Sequence, residues 1–228
     1  MRAVYHTKYG PPDELQLKEV EKPLPKDDEV LIKIHATTVT SSDCNLRNFT
    51  FTPKLFLLPM RMQFGFNKPK ISRLGIDLAG EIELAGVDVE QFKQGDQIFG
   101  TPEPAFGAHA EYISIPEYGV LTSKPDNTNW EEAAAVPLAG NTALYFIRDL
   151  GNIQAGQKIL INGASGGIGT FAVQIAKYYG AEVTGVCSTA NLEMVNSLGA
   201  DKVIDYTLEN FTKSDEKYEG VVKHKVLE

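Results

Sequence analysis

The stretch Leu160-Ile161-Asn162-Gly163-Ala164-Ser165-Gly166-Gly167-Ile168-Gly169, "LINGASGGIG", decides the fold. A strand-forming run, Ile159-Leu160-Ile161, meets a cluster of small residues, and an apolar period starts at Ile168. So little side chain between a strand and a helix meets one of two physical needs. Either an anionic ligand must lie against the backbone, or helix and strand must approach closely. The sequence on either side sets the context. Ile168, Phe171, Ala172, Ile175, Ala176 and Tyr179 recur at helical spacing. Strands are expected at Lys158–Asn162, Glu182–Cys187 and Lys202–Asp205, and a second helix over 192–198, stopping at Gly199. Strand, helix, strand, helix, strand implies a parallel sheet.

Taking Gly169 as the last glycine of the dinucleotide fingerprint puts Gly166 in the middle place and Ala164 in the first. In that motif the first position makes the tight turn, the second lets a pyrophosphate touch the backbone, and the third lets helix and strand pack closely. The helix start adds unpaired N–H groups and a partial positive charge. The phosphate cradle is therefore expected at Ala164, Ser165, Gly166, Gly167, Ile168 and Gly169. The second strand ends Val186-Cys187-Ser188-Thr189-Ala190-Asn191, with no carboxylate to repel a 2′-phosphate. Ser188 and Thr189 can donate hydrogen bonds to one, so the segment favours NADP(H) over NAD although it has no Lys or Arg.

The totals narrow the class. A chain of 228 residues can build one large or two small cores. With 43% apolar and 23% charged residues it has the composition of a soluble globular protein. The net charge of −8 argues against a nucleic-acid partner, which needs a basic footprint. No apolar run approaches the ~18 residues of a membrane span, and the first residues read as strand rather than signal peptide. Two cysteines, Cys44 and Cys187, give no disulfide framework, so a cytoplasmic setting is expected.

Residues 1–125 read as a β-rich domain and 126–228 as the nucleotide-binding one. In 29–36, Val30, Ile32, Ile34 and Ala36 alternate at the strand period. Short strands with turn residues follow around 80–84, 97–99 and 108–115, as in a barrel or sandwich. Residues 52–70 carry three prolines and no clear period. They read as a loop on the core, or as a greasy wall over a pocket or partner surface. Asn129 and Glu132 have capping-box spacing, Pro137 is expected to limit that helix, and 141–150 is expected to be helical up to Gly151.

At this point the chain resembles the medium-chain dehydrogenase/reductase superfamily and, within it, the zinc-independent quinone oxidoreductases. "GIDLAGEIELAG" (75–86) resembles the family signature, and "AAAVPLAGNTAL" (133–144) resembles the lead into the cofactor domain. "GASGGIGTFAVQIAKYYGAEVTGVCST" and "LGADKVIDY" resemble the nucleotide-binding half. The resemblance covers roughly residues 1–215. It implies an N-terminal GroES-like β-barrel followed by a partial Rossmann domain. It further implies that Thr142 touches the cofactor and that Tyr206 lies near the adenosine phosphate. "TSSDCNLR" (40–47) resembles the active-site strand end and nominates Thr40, Asp43 and Arg47 for the substrate pocket. For Asp43 and Arg47, a structural ion pair or cap stands as the alternative. Cys44 reads as an ordinary thiol rather than a reactive one.

Where zinc-dependent relatives place ligands, this chain has Thr40, Ile76 and Ala139, which are poor zinc donors. His6, His35, His109 and His224 are scattered singly. A metal-free site is expected, reducing a quinone or an α,β-unsaturated carbonyl by hydride transfer from NADPH, with no acid–base triad to nominate.

The 70 residues from Ile159 supply one βαβαβ half and a tail that departs from the family pattern. The tail reads as that of a fragment or shortened chain, and its final Leu227-Glu228 as a cloning scar. The strand Lys158–Asn162 is then expected to keep an open edge and to draw the chain into a homo-oligomer. The alternative to an enzyme is a nucleotide-binding or assembly module that has kept half a site.

Overall fold

The computed structural model describes residues 1–102, 106–213 and 216–223. Calls on His224, Leu227 and Glu228 fall outside them. The chain divides into two compact units, Met1–Leu138 and the residues from Ala139 on.

In the first unit β1 (Arg2–His6) pairs antiparallel with β2 (Leu15–Glu19). Then come β3 (Glu29–Thr37), α1 (Ser41–Asn48), α2 (Lys54–Phe64), β4 (Leu78–Ala85), β5 (Gln97–Thr101), β6 (Tyr112–Pro116) and β7 (Val120–Ser123). The last five strands form one antiparallel sheet in the order β6-β3-β4-β5-β7. The alternation read at 29–36 does bury Val30 and Ile32, which meet Leu78, Ile82, Ile98, Ile113 and Ile115 in one core. A register shift between Leu31 and Ile32 accompanies burial of Leu31 as well.

Residues 52–70 are not a loop throughout, because all of α2 lies there. Pro53 precedes the helix in an extended conformation and Pro59 sits inside it. Proline removes one helical hydrogen bond, and the exposed flank of α2 lets water satisfy the freed carbonyl. Apolar residues on both faces hide the helical period.

The helix α3 (Trp130–Ala134) opens with the expected capping box: Glu132 N–H donates to Asn129 Oδ1 at 2.7 Å and Asn129 N–H to Glu132 Oε2 at 2.9 Å. Ala133 and Ala134 pack on Ala79. This helix stops at Ala134, short of Pro137 as expected, and Pro137 opens the next, α4 (Pro137–Leu144), where a missing N–H costs nothing. A π-helical segment, Tyr145–Leu150, continues α4 and ends at Gly151.

The second unit then runs β8 (Lys158–Asn162), α5 (Gly167–Tyr178), β9 (Glu182–Cys187), α6 (Leu192–Ser197), β10 (Lys202–Asp205) and β11 (Gly220–Lys223). All four strands are parallel, in the order β10-β9-β8-β11. The expected open edge of β8 is therefore closed: Gly220–Lys223 pairs with Ile159–Asn162. The tail missed the strand pattern because its alternation is four residues long and set among lysines. Ala172, Val173 and Ala176 of α5 are fully buried against Ile159, Ile161 and Val183, and Phe171 and Ile175 pack beside them. Among the described residues no helix is long and apolar enough to cross a membrane.

His6 closes β1 in a buried position. Its Nδ1 lies 3.2 Å from the Ser72 carbonyl, and its Nε2 finds no partner among the described residues. Burial, with a smaller push from Arg47, lowers its pKa from the ordinary 6.5 despite the Ser72 bond. Unfolded chains thus take up this proton before folded ones do, and stability complete above about pH 6.5 falls below it. Urea midpoints should drop between about pH 7 and pH 5. His6→Asn keeps a donor for Ser72 and cannot titrate, so it should flatten that slope; equal slopes in both proteins would refute the assignment.

Candidate functional site

The turn after β8 is built from backbone hydrogen bonds. Gly163 adopts φ +85°, and the N–H groups of Gly163 and Ala164 both donate to the Val186 carbonyl at 3.0 Å. The tight turn thus falls on Gly163, one residue before the alignment put it, while Ala164 is fully buried. Gly166 N–H donates to the Gly163 carbonyl at 3.0 Å.

The other glycines do different work. A Cβ on Gly169 would lie 2.1 Å from the Gly163 carbonyl oxygen, so only glycine lets α5 sit this close to the turn. A Cβ on Gly167 would meet nothing within 4 Å, and one on Gly166 only that same oxygen at 3.3 Å. Gly166 offers α5 no side-chain cap, and the first N–H groups of a helix have no acceptor within it. With the Gly166 N–H taken by Gly163, the helix-start N–H groups of Gly167 and Ile168 are the donors left, beside Ser165 and open space at Gly167, an arrangement of the kind a pyrophosphate fills.

At the end of β9, Ser188 Oγ accepts from Asn191 Nδ2 at 3.1 Å. Thr189 Oγ1 donates to Asp205 Oδ2 at 2.5 Å and lies 3.0 Å from Thr207 Oγ1. Asp205 also accepts from the Thr207 amide and hydroxyl, and these bonds, Thr189's first, hold its carboxyl below the usual aspartate range. A carboxylate does reach the tip of β9, from the neighbouring strand. The signal for it was the parallel register, which pairs Asp205 with Cys187. Tyr206 is exposed, its N–H donating to the Cys187 carbonyl at 3.1 Å. Thr142 is half-buried on α4. Burial, then Asp205, pushes the Cys187 thiol up, away from the reactive thiolate.

In the first unit Thr40 and Asp43 form the capping box of α1. Asp43, buried, accepts from Thr40 N–H at 2.8 Å, Thr40 Oγ1 at 2.7 Å and Gly75 N–H at 2.9 Å. Arg47 Nε donates to the Gly10 carbonyl at 3.1 Å. Asp43, Cys44 and Arg47 border a cavity of about 440 Å³ walled by Leu15, Leu17 and Leu74; Thr40 is not among its lining residues. A residue the sequence reading passed over, Asp77, joins three segments. It is buried and accepts from Thr38 Oγ1 and from Leu138 N–H, each at 2.9 Å, while its carbonyl accepts from Thr37 Oγ1 at 2.7 Å. Ile76 is buried and Ala139 lies on α4. Among the described residues no three His, Cys, Asp or Glu side chains gather in a way that could hold a metal.

Residues 26–126 match the alcohol dehydrogenase GroES-like domain, and residues 167–226 match the zinc-binding dehydrogenase domain. The chain is thus a GroES-like domain followed by a Rossmann-type domain. It is 36% identical to the chloroplastic quinone-oxidoreductase homolog of Spinacia oleracea over 97% of this chain and 67% of that protein. It is also 36% identical to the 2-methylene-furan-3-one reductase of Solanum lycopersicum, over 97% of this chain and 56% of that protein. The crystal structure of Escherichia coli quinone oxidoreductase complexed with NADPH superposes with a TM-score of 0.78 at 27% identity, covering 92% of this chain and 60% of that one. The chain belongs to the quinone oxidoreductases of the medium-chain dehydrogenase/reductase superfamily. It spans between a little over half and two thirds of the length of these relatives.

The glycines predict opposite outcomes for one methyl group. Gly169→Ala should cost about 1–3 kcal/mol, the usual penalty for forcing volume into a packed site. Gly167→Ala, with open space and no positive φ, should be neutral or stabilising by about 0.4–1 kcal/mol. Thermal melts of the two variants decide it, and equal midpoints would count against this reading of the turn.

Proposed function

We propose that this chain carries the cofactor site of an NADPH-dependent, zinc-independent oxidoreductase that reduces quinones or α,β-unsaturated carbonyls. The observation that carries the reading is the uncapped start of α5, with open space beside Gly167 and only one close atom at Gly166. When bound, the nicotinamide supplies a hydride, and a proton from water completes the two-electron reduction of the acceptor.

This chain's own residues bind and orient. Gly167 and Ile168 would hold the pyrophosphate through N–H groups and the helix dipole, with Ser165 beside them and Gly166 leaving the backbone open to its approach. Gly169 and Ala164 keep that helix start against the strand end, and Thr142 would touch the cofactor. The Thr189 hydroxyl hydrogen is committed to Asp205, so Ser188 and Tyr206 are the donors open to a 2′-phosphate. Within the pocket assignment, the buried bonds of Asp43 make it a positioning residue, and Arg47, like Arg2, is a cation bordering the cavity. The relatives' names support both acceptor classes: one is a quinone oxidoreductase homolog, and the other reduces a ring ketone conjugated to a methylene. Thr40, Ile76 and Ala139 lack the donors zinc needs, so elemental analysis should find no stoichiometric metal.

Titrating 2′-phospho-ADP-ribose tests the cofactor assignment without turnover. Wild type should bind it more tightly than ADP-ribose, and Gly166→Val should weaken it by at least about tenfold, or about 1.4 kcal/mol. Unchanged affinity in the variant would overturn the assignment. NADPH oxidation with 9,10-phenanthrenequinone, at about 1–10³ s⁻¹ for an ordinary enzyme, separates the reductase from a module that binds nucleotide without catalysis.

A further inference from the structure

The protein carries 30 acidic and 22 basic residues, but the distribution is uneven. From Cys44 to Ile76 there is no Asp or Glu, while Arg47, Lys54, Arg61, Lys68, Lys70 and Arg73 all carry positive charge. Helix α2 sits in the middle of this stretch, and it has two opposed faces. Leu57, Met60, Arg61 and Phe64, at helical spacing, are its less exposed face. That face is tied down at one end: Arg61 lies over the rings of Tyr9 at 4.7 Å and Phe49 at 5.5 Å, and the Tyr9 hydroxyl donates to the Phe64 carbonyl at 2.9 Å.

The opposite face carries Leu55, Leu58 and Met62, also at helical spacing, and they are 83%, 59% and 68% exposed. Phe56 and Phe66 are exposed as well. No salt bridge among the described residues involves Lys54, Lys68 or Lys70. An outward apolar stripe flanked by cations, on a helix anchored by its other face, fits the boundary between headgroups and acyl chains of an anionic bilayer.

We infer that α2 is a peripheral membrane-binding element that seats Leu55, Leu58 and Met62 among the acyl chains of an anionic lipid surface, with Lys54, Lys68 and Lys70 at headgroup level. The net charge of −8 does not oppose this, because charges more than about 10 Å away are screened at ordinary salt. A second copy is the poorer occupant. A two-fold contact would set each patch against itself and face lysine with lysine.

Co-sedimentation of the full chain with vesicles tests the inference. The chain should pellet with equimolar phosphatidylcholine and phosphatidylglycerol and stay in solution with phosphatidylcholine alone. Raising salt from about 0.1 M to about 1 M, which cuts screening lengths from about 10 to about 3 Å, should release it. Leu55→Glu with Leu58→Glu should lower partitioning by about tenfold or more, and Lys68→Glu with Lys70→Glu likewise. These side chains are exposed, so circular dichroism and melting should match wild type. Failure to bind either vesicle overturns the inference. So does equal binding to both, or a wild-type dimer in light scattering that Leu58→Glu converts to monomer.

Discussion

The second unit depends on one close approach, that of α5 to the turn that follows β8. The carbonyl of Gly163 points at the place a Cβ on residue 169 would occupy, 2.1 Å away. The Gly163 and Ala164 N–H groups donate to the Val186 carbonyl, and these two bonds hold that turn and tie β9 to it. Gly185 on β9 makes room from the other side, since a Cβ there would stand 3.1 Å from the Ala164 methyl and 2.6 Å from Val195. Close packing and the proposed phosphate site thus share one turn. Gly169 lets the helix in, and Gly167 leaves open space beside its first N–H groups.

In the first unit buried carboxylates do comparable work. Asp43 caps α1 and reaches Gly75, while Asp77, two residues on, joins Thr37, Thr38 and Leu138. A buried carboxylate is tolerable when hydrogen-bond donors surround it, and it then fixes the segments that supply them. The route from β3 through α1 to β4 is set this way, so the loops bordering the cavity rest on a rigid polar frame.

These bonds change the chemistry open to each side chain. Asp43 has its oxygens turned to backbone and hydroxyl donors, so its contribution to a pocket is geometric. Thr189 is a donor already engaged, and the neighbouring Asp205 brings negative charge to the end of β9. In the proposed cofactor site, recognition of a 2′-phosphate would therefore fall to Ser188 and Tyr206.

Local pattern determined much of this in the sequence alone. The helical period from Ile168 to Tyr179, the runs that became β8, β9 and β10, and the Asn129–Glu132 box were all legible, because their causes lie within a few residues. The glycine cluster was legible for the same reason, although the turn itself fell on Gly163. What the sequence left undecided needed partners distant along the chain. The run Gly220–Lys223 is a strand only because β8 offers it an edge. Residues 54–64 are a helix whose two apolar faces conceal its period, and only Tyr9 and Phe49 show which face turns inward. Asp205 meets Thr189 through the register of two parallel strands, sixteen residues apart in the chain and one hydrogen bond apart in space. Periodicity and capping act over a turn of chain, whereas edges, faces and buried carboxylates acquire meaning only when separate segments are brought together.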